Sequence, residues 1–142
     1  MIHQANFKIR TFHTDAFGHV NNARYFELLE EARWQFADSI DLVSLLQQSD
    51  LGFIIMDMKL RFREPVREGD SICVSTSLVT LGSASGEVKQ TVSRNDSQKI
   101  ATRCLSHFIL IERTTGRSVP IEGPIRELLL EVIEQETIKA DP

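Results

Sequence analysis

A chain of 142 residues, 42% hydrophobic and 25% charged, has the make-up of a globular protein with enough length for one real core, which sets aside disordered and fibrous classes. Its net charge of -4 argues against a nucleic-acid partner, since nucleic-acid binders usually carry a basic footprint. Two cysteines, Cys73 and Cys104, lie in apolar runs and read as buried thiols in a reducing compartment, with no disulfide framework and no closely spaced Cys/His set for zinc.

The opening residues lack the apolar stretch of a signal peptide, and no apolar run approaches the roughly 18 residues of a membrane span. The expected setting is the cytoplasm, without a membrane partner, and the length fits a single domain over residues 1–142. Asn6 to Phe12 reads as a first strand. A polar loop follows, marked by Gly18. From Asn22 to Ala37 the period is helical, with Tyr25, Leu28, Leu29, Ala32 and Phe36 forming the apolar stripe. Asn21 or Asn22 supplies the N-cap, because a short side-chain oxygen can accept from the first free N–H groups.

A short helical piece spans Leu42 to Gln48. The period then becomes two: Ile54, Met56, Met58, Leu60 and Phe62 form a buried face, opposite Ile55, Asp57, Lys59, Arg61 and Arg63. Pro65 ends this strand and Gly69-Asp70 makes a turn. Strands are expected over Ser71 to Leu81, around Val88 and Val92, and from Lys99 to Glu112. The last is apolar on both faces, which implies a central place in a sheet or an oligomer contact. The tail reads as an amphipathic helix carrying Ile125, Leu128, Leu129, Val132 and Ile133. Consecutive strands joined by tight turns favour an antiparallel sheet, and a long helix packed on it gives an α+β layout.

The chemistry concentrates in Asp15-Ala16-Phe17-Gly18-His19-Val20-Asn21-Asn22-Ala23-Arg24-Tyr25. A carboxylate precedes a glycine turn that feeds a helix start. Free N–H groups there can stabilise charge on an oxygen, and the carboxylate can act as base or nucleophile. Together they suit attack on a carbonyl.

The run TDAFGHVNNARYFELLEEAR resembles the signature of the 4-hydroxybenzoyl-CoA thioesterase-like hotdog family, and FREPVREGD, Phe62 to Asp70, resembles a second family segment. Within the family, HVNNARY and LEEARW look closest to bacterial long-chain acyl-CoA thioesterases. The resemblance implies a hotdog fold, a curved antiparallel sheet wrapped around a long helix. It also implies hydrolysis of fatty acyl-CoA to free acid and coenzyme A, with no cofactor or metal. Asp15 matches the catalytic carboxylate, as nucleophile or as base for a water. Asn22 matches the residue whose backbone N–H polarises the thioester carbonyl. Gly18 matches the turn that lets the chain approach substrate. His19 and Asn21 belong to the motif without an assigned chemical step, and Tyr25 anchors the helix. Family sites lie at a subunit interface, which implies a homodimer or homotetramer.

Other side chains carry weaker expectations. Lys59, Arg61 and Arg63 share a strand face and, with Arg67, are candidates for holding coenzyme A phosphates; a solvated face is the plainer alternative. Met56, Met58 and Phe62 line either an acyl channel or ordinary core. His13 and His107 are read as structural, and Glu31 as part of a solvated helix face. Two rival functions stand beside the hydrolase: a 3-hydroxyacyl-thioester dehydratase, in which His19 would move protons, and an acyl-CoA binding module without turnover.

Overall fold

The computed structural model describes residues 2–140, with side chains through residue 135. In chain order it contains β1 (His3–Lys8), a 3-10 turn (Thr11–His13), α1 (Asn22–Ser39), α2 (Leu42–Gln48), β2 (Leu51–Phe62), β3 (Ser71–Leu81), β4 (Ser85–Arg94), β5 (Ile100–Glu112) and α3 (Gly123–Ala140). The strands form one antiparallel sheet in the order β1-β3-β4-β5-β2. The expected α+β hotdog architecture is present. β5 is internal, between β4 and β2; Cys104, Phe108 and Leu110 on its inner face are buried, while its outer face carries exposed Arg103 and His107 beside half-buried Leu105 and Ile109.

The first strand is earlier and shorter than its sequence suggests. His13 Nδ1 accepts from the Arg10 N–H at 2.8 Å, a local bond that closes a turn and competes with strand pairing. Beyond β1, Ile9 is tied by its backbone to Gly69 and Asp70.

The stripe Tyr25, Leu28, Leu29 and Ala32 of α1 packs on Ala5, Ile72, Val74, Val92 and Cys104 of the sheet. A second cluster joins Phe36 to Leu42 and Leu46 of α2, Ile125, Leu129 and Val132 of α3, and Leu78, Val88, Phe108 and Leu110 of the sheet. Three helices therefore share the inner face, where the sequence pointed to one. Buried Gln90 fastens α1 to the sheet: its Nε2 donates to Leu29 O at 2.9 Å and to Thr76 Oγ1 at 3.1 Å, while Arg33 Nη1 donates to its Oε1 at 3.1 Å.

The expected buried face of β2 is corrected. Ile55 pairs with Phe108 and Asp57 with His107, so Met56 is an extra residue, a bulge. A bulge shifts a strand's phase by one. Phe53, Ile55, Met58 and Leu60 consequently face inward against Leu110, Phe108, Ser106 and Cys104. Ile54 and Met56 are exposed (41% and 59%). Cys104 is buried, and burial pushes its thiol pKa up, whereas Cys73 is only half-buried. No helix among the described residues is long and apolar enough to cross a membrane.

Candidate active site

The loop between the 3-10 turn and α1 is held from both sides. Gly18 N–H donates to Asp15 O at 3.0 Å, Asp15 N–H to His19 O at 2.8 Å, and Asn21 N–H to His13 O at 2.8 Å. Gly18 takes φ +79, a left-handed value that a side chain would strain. The segment after β2 braces the loop from outside: Val20 N–H donates to Val66 O at 2.7 Å and His19 bridges Arg67. Arg67 N–H in turn donates to Asp70 Oδ2 at 2.9 Å. The two sequence segments that carried the family resemblance are thus one structural unit.

Within this unit Asp15 is exposed and its carboxylate is oriented. Oδ1 accepts from Phe17 N–H at 2.9 Å and His19 N–H at 3.3 Å. Oδ2 has no partner among the described residues and is left for chemistry. Asn21 is the N-cap of α1, its side chain accepting from Ala23 N–H at 2.8 Å, while Arg24 and Tyr25 N–H bond to Asn21 O. The Asn22 N–H has no acceptor among the described residues. It is the free donor of the first turn, at the positive end of the helix dipole.

Asp15, His19, Asn22 and Tyr25 line a hollow of about 300 Å³ with Val20, Phe62, Arg63, Glu64, Pro65 and Val66. Tyr25 is buried, its ring 5.4 Å from that of Phe62, and burial raises its phenol pKa. That is an anchor for the helix start. The Phe12 ring lies 4.1 Å from that of His13, which is turned toward Arg10, and burial with the nearby Arg24 charge lowers the His13 pKa.

Of the three basic candidates Lys59, Arg61 and Arg63, only Arg63, just past the end of β2, lines the hollow. Lys59 pairs in register with Leu105, and Arg61 with Arg103, on the sheet face away from the helices. The bulge does not bring them back. Sequence reasoning missed Glu64 and Val66, and the residues it offered as either acyl channel or core, Met56, Met58 and Phe62, lie outside the lining of an apolar cavity. That cavity, about 500 Å³, lies between the second half of α1, α2 and the sheet, against Trp34, Phe36, Leu46, Phe53, Val88 and Phe108. The volume lies in the range of ligand pockets. Met56 and Met58 are not part of its lining. The signal that could have located it is the apolar alternation Leu51, Phe53, Ile55, which runs in the opposite phase to the one chosen.

A carboxylate beside a free helix N-terminus is an arrangement suited to acyl transfer. Residues 9–129 match the thioesterase-like superfamily, and the chain belongs to it as a thioester hydrolase. More particularly, it is 29% identical over 131 residues to the long-chain acyl-CoA thioesterase FadM of Escherichia coli, covering 92% of this chain and 99% of that protein. The crystal structure of YbaW, a probable thioesterase from Escherichia coli, superposes with a TM-score of 0.84 at 29% identity, covering 92% and 98% of the two chains. The Staphylococcus aureus protein SAV2348, solved in complex with CoA, shares the fold at 12% identity, with a TM-score of 0.86 and coverage of 94% and 85%.

Proposed function

We propose that the protein hydrolyses medium- to long-chain fatty acyl-CoA to free fatty acid and coenzyme A, with Asp15 as the catalytic carboxylate. The observation that carries the reading is the free Asp15 Oδ2 beside the free Asn22 N–H in one hollow. The thioester carbonyl oxygen accepts from Asn22 N–H, which stabilises the oxyanion as it forms. Asp15 either removes a proton from an attacking water or attacks the carbonyl carbon itself, giving an anhydride that water then opens. The C–S bond breaks, coenzyme A leaves as the thiol after taking up a proton, and the carboxylic acid remains. Gly18, His19 and Asn21 shape the loop, and Arg63 at the rim is the basic residue offered to a coenzyme A phosphate. Lys59 and Arg61 reach a phosphate only around the edge of β2.

The long-chain preference is supported by the apolar cavity and by the similarity to FadM. Hollow and cavity lie at opposite ends of α1 and β2, roughly 18 Å apart at 1.5 Å per helical residue. β2 is also a long edge strand with exposed apolar side chains, Ile54 and Met56, a ready surface for strand pairing. Two-fold antiparallel pairing of two such edges brings the hollow of one copy toward the cavity of the other. A homodimer, or a homotetramer built from it, is therefore part of the proposal. Two free thiols fit a cytoplasmic setting.

The test is thiol release from acyl-CoA esters of increasing chain length, with an aromatic ester included. Turnover that rises with chain length supports the reading. Absence of thiol release from every ester sinks it, and hydration of an enoyl-CoA would replace it with the dehydratase.

A further inference from the structure

The sheet face turned away from the helices carries a line of polar side chains that the hydrolysis leaves unused. Asp57 on β2, His107 on β5, Glu87 on β4 and Thr80 on β3 are successive cross-strand neighbours. His107 Nδ1 lies 2.5 Å from Asp57 Oδ1, His107 Nε2 lies 3.3 Å from Glu87 Oε2, and Thr80 Oγ1 donates to Glu87 Oε1 at 3.0 Å. One imidazole therefore joins two carboxylates, one at each nitrogen.

The position of this line is specific. It crosses the sheet where two strands bulge, at Met56 in β2 and at Val79 in β3. Its members adjoin the cavity wall in sequence. Ile55 and Asp57 flank one bulge, Leu78 and Thr80 the other, Glu87 precedes Val88 and His107 precedes Phe108. Ile55, Leu78, Val88 and Phe108 all line the apolar cavity. The line runs along the back of that wall, and the bulges that aim the wall inward are the places it ties together.

We propose that His107 is a positioning residue for acyl-chain binding, a clasp that holds the bulged strands in the register that shapes the cavity and does so most firmly when the imidazole is protonated. The inference rests on the reading of the cavity as the acyl-chain site. Neutral imidazole has one N–H, so it can donate to only one of the two carboxylates. The cation donates to both. Hydrogen bonding to Asp57, with the Glu87 charge on the other side, holds the His107 pKa above the ordinary imidazole value. The other charged groups on this face of β2, β4 and β5 are Lys59 and Arg61 on β2, Lys89 on β4 and Arg103 on β5; Lys59 and Lys89 flank Leu105 in the next row, Arg61 and Arg103 pair in the row beyond, and none has an ion-pair partner among the described residues. Asp57 and His107 side chains are 66% and 47% exposed, so no helix covers the clasp and bulk pH reaches it.

The sign follows from the raised pKa. The clasp is complete below the ordinary imidazole value and is lost as pH rises through the higher folded-state value. Long chains, which touch the whole wall, feel the loss, and short chains do not.

Dodecan-1-ol, which carries no titrating group, is the probe, and fluorescence of Trp34, the single tryptophan and a cavity residue, is the signal. The expected result is a dissociation constant that weakens about three- to tenfold between pH 5.5 and 9, a step absent in His107→Gln. In parallel, KM for a long-chain ester should show the same step in wild type only, with kcat in His107→Gln close to wild type at each pH and the KM of a butanoyl ester flat. Binding that is pH-independent in wild type, or a step that persists in His107→Gln, overturns the clasp while leaving the enzyme reading intact. Absence of dodecanol binding at every pH overturns the acyl cavity and the clasp with it, whereas thiol release tests the hydrolase separately.

Discussion

The Asp15 hollow and the apolar cavity are built on opposite principles. The hollow is made by loop backbone: a glycine turn, two N–H groups on Asp15 Oδ1, a capped helix start and a bracing segment from Val66 to Asp70. The cavity is made by side chains projecting from the helices and the sheet, its shape set by two bulges and by ring packing of Phe53 on Phe108, centroids 5.0 Å apart. Reactive groups have to be aimed to within a fraction of an ångström, which oriented backbone bonds accomplish. An acyl chain needs only dry volume of the right depth. The two regions should then fail separately when mutated.

The largest expected separation comes from Asp15→Asn. The amide keeps the Oδ1 acceptor for Phe17 and His19, so the loop persists, while the base or nucleophile is gone. Thiol release should fall by about 100-fold or more with KM nearly unchanged, and thermal unfolding should stay where it was. A matching fall in stability would break the comparison, because the carboxylate would then be structural. Next is Val88→Phe, which fills the cavity from the sheet side. kcat/KM for a long-chain ester should drop by about tenfold or more, with a butanoyl ester spared. Equal losses on both esters would mean the cavity does not sort chains.

Gly86→Ala sharpens the contrast further. A Cβ there would run into the Phe108 ring and stand 2.7 Å from Thr80 O. The expected cost is about 1–3 kcal/mol in urea unfolding, together with weaker long-chain selectivity, while the residual short-chain rate survives. Smallest is Asn21→Ala, which removes the N-cap bond to Ala23. It should lower stability by about 1 kcal/mol. If it cuts kcat without changing stability, the side chain of Asn21 acts on substrate and is more than a cap.

Much of the hollow was legible in the sequence because its residues are contiguous. Asp15 to Tyr25 form one loop and one helix start, so spacing along the chain is close to spacing in space. The helix stripe from Tyr25 to Phe36 was legible for the same reason, since its period is local. The cavity was not, because Leu42, Phe53, Val88 and Leu129 meet only after the sheet has closed. β2 shows why strand patterns mislead: Ile54, Met56, Met58 and Leu60 alternate without a fault, yet one inserted residue turns the first pair outward. Nothing in the side-chain types marks Met56 as the extra residue, since the bulge is set by pairing with β5. Lys59 and Arg61 were grouped with Arg63 on the same alternation, and near the strand end the face stops deciding what a side chain can reach.

Gln90 has a consequence for anyone redesigning the interior. Its amide oxygen is the acceptor for a largely enclosed guanidinium, and its amide nitrogen holds a carbonyl in the middle of α1. Swapping Gln90 alone for leucine would strand the Arg33 cation, a larger loss than the bonds themselves. Replacing both with apolar residues of similar size would strand nothing. The two positions are thus one unit of variation, and sequences that keep this fold should change them together or leave both alone.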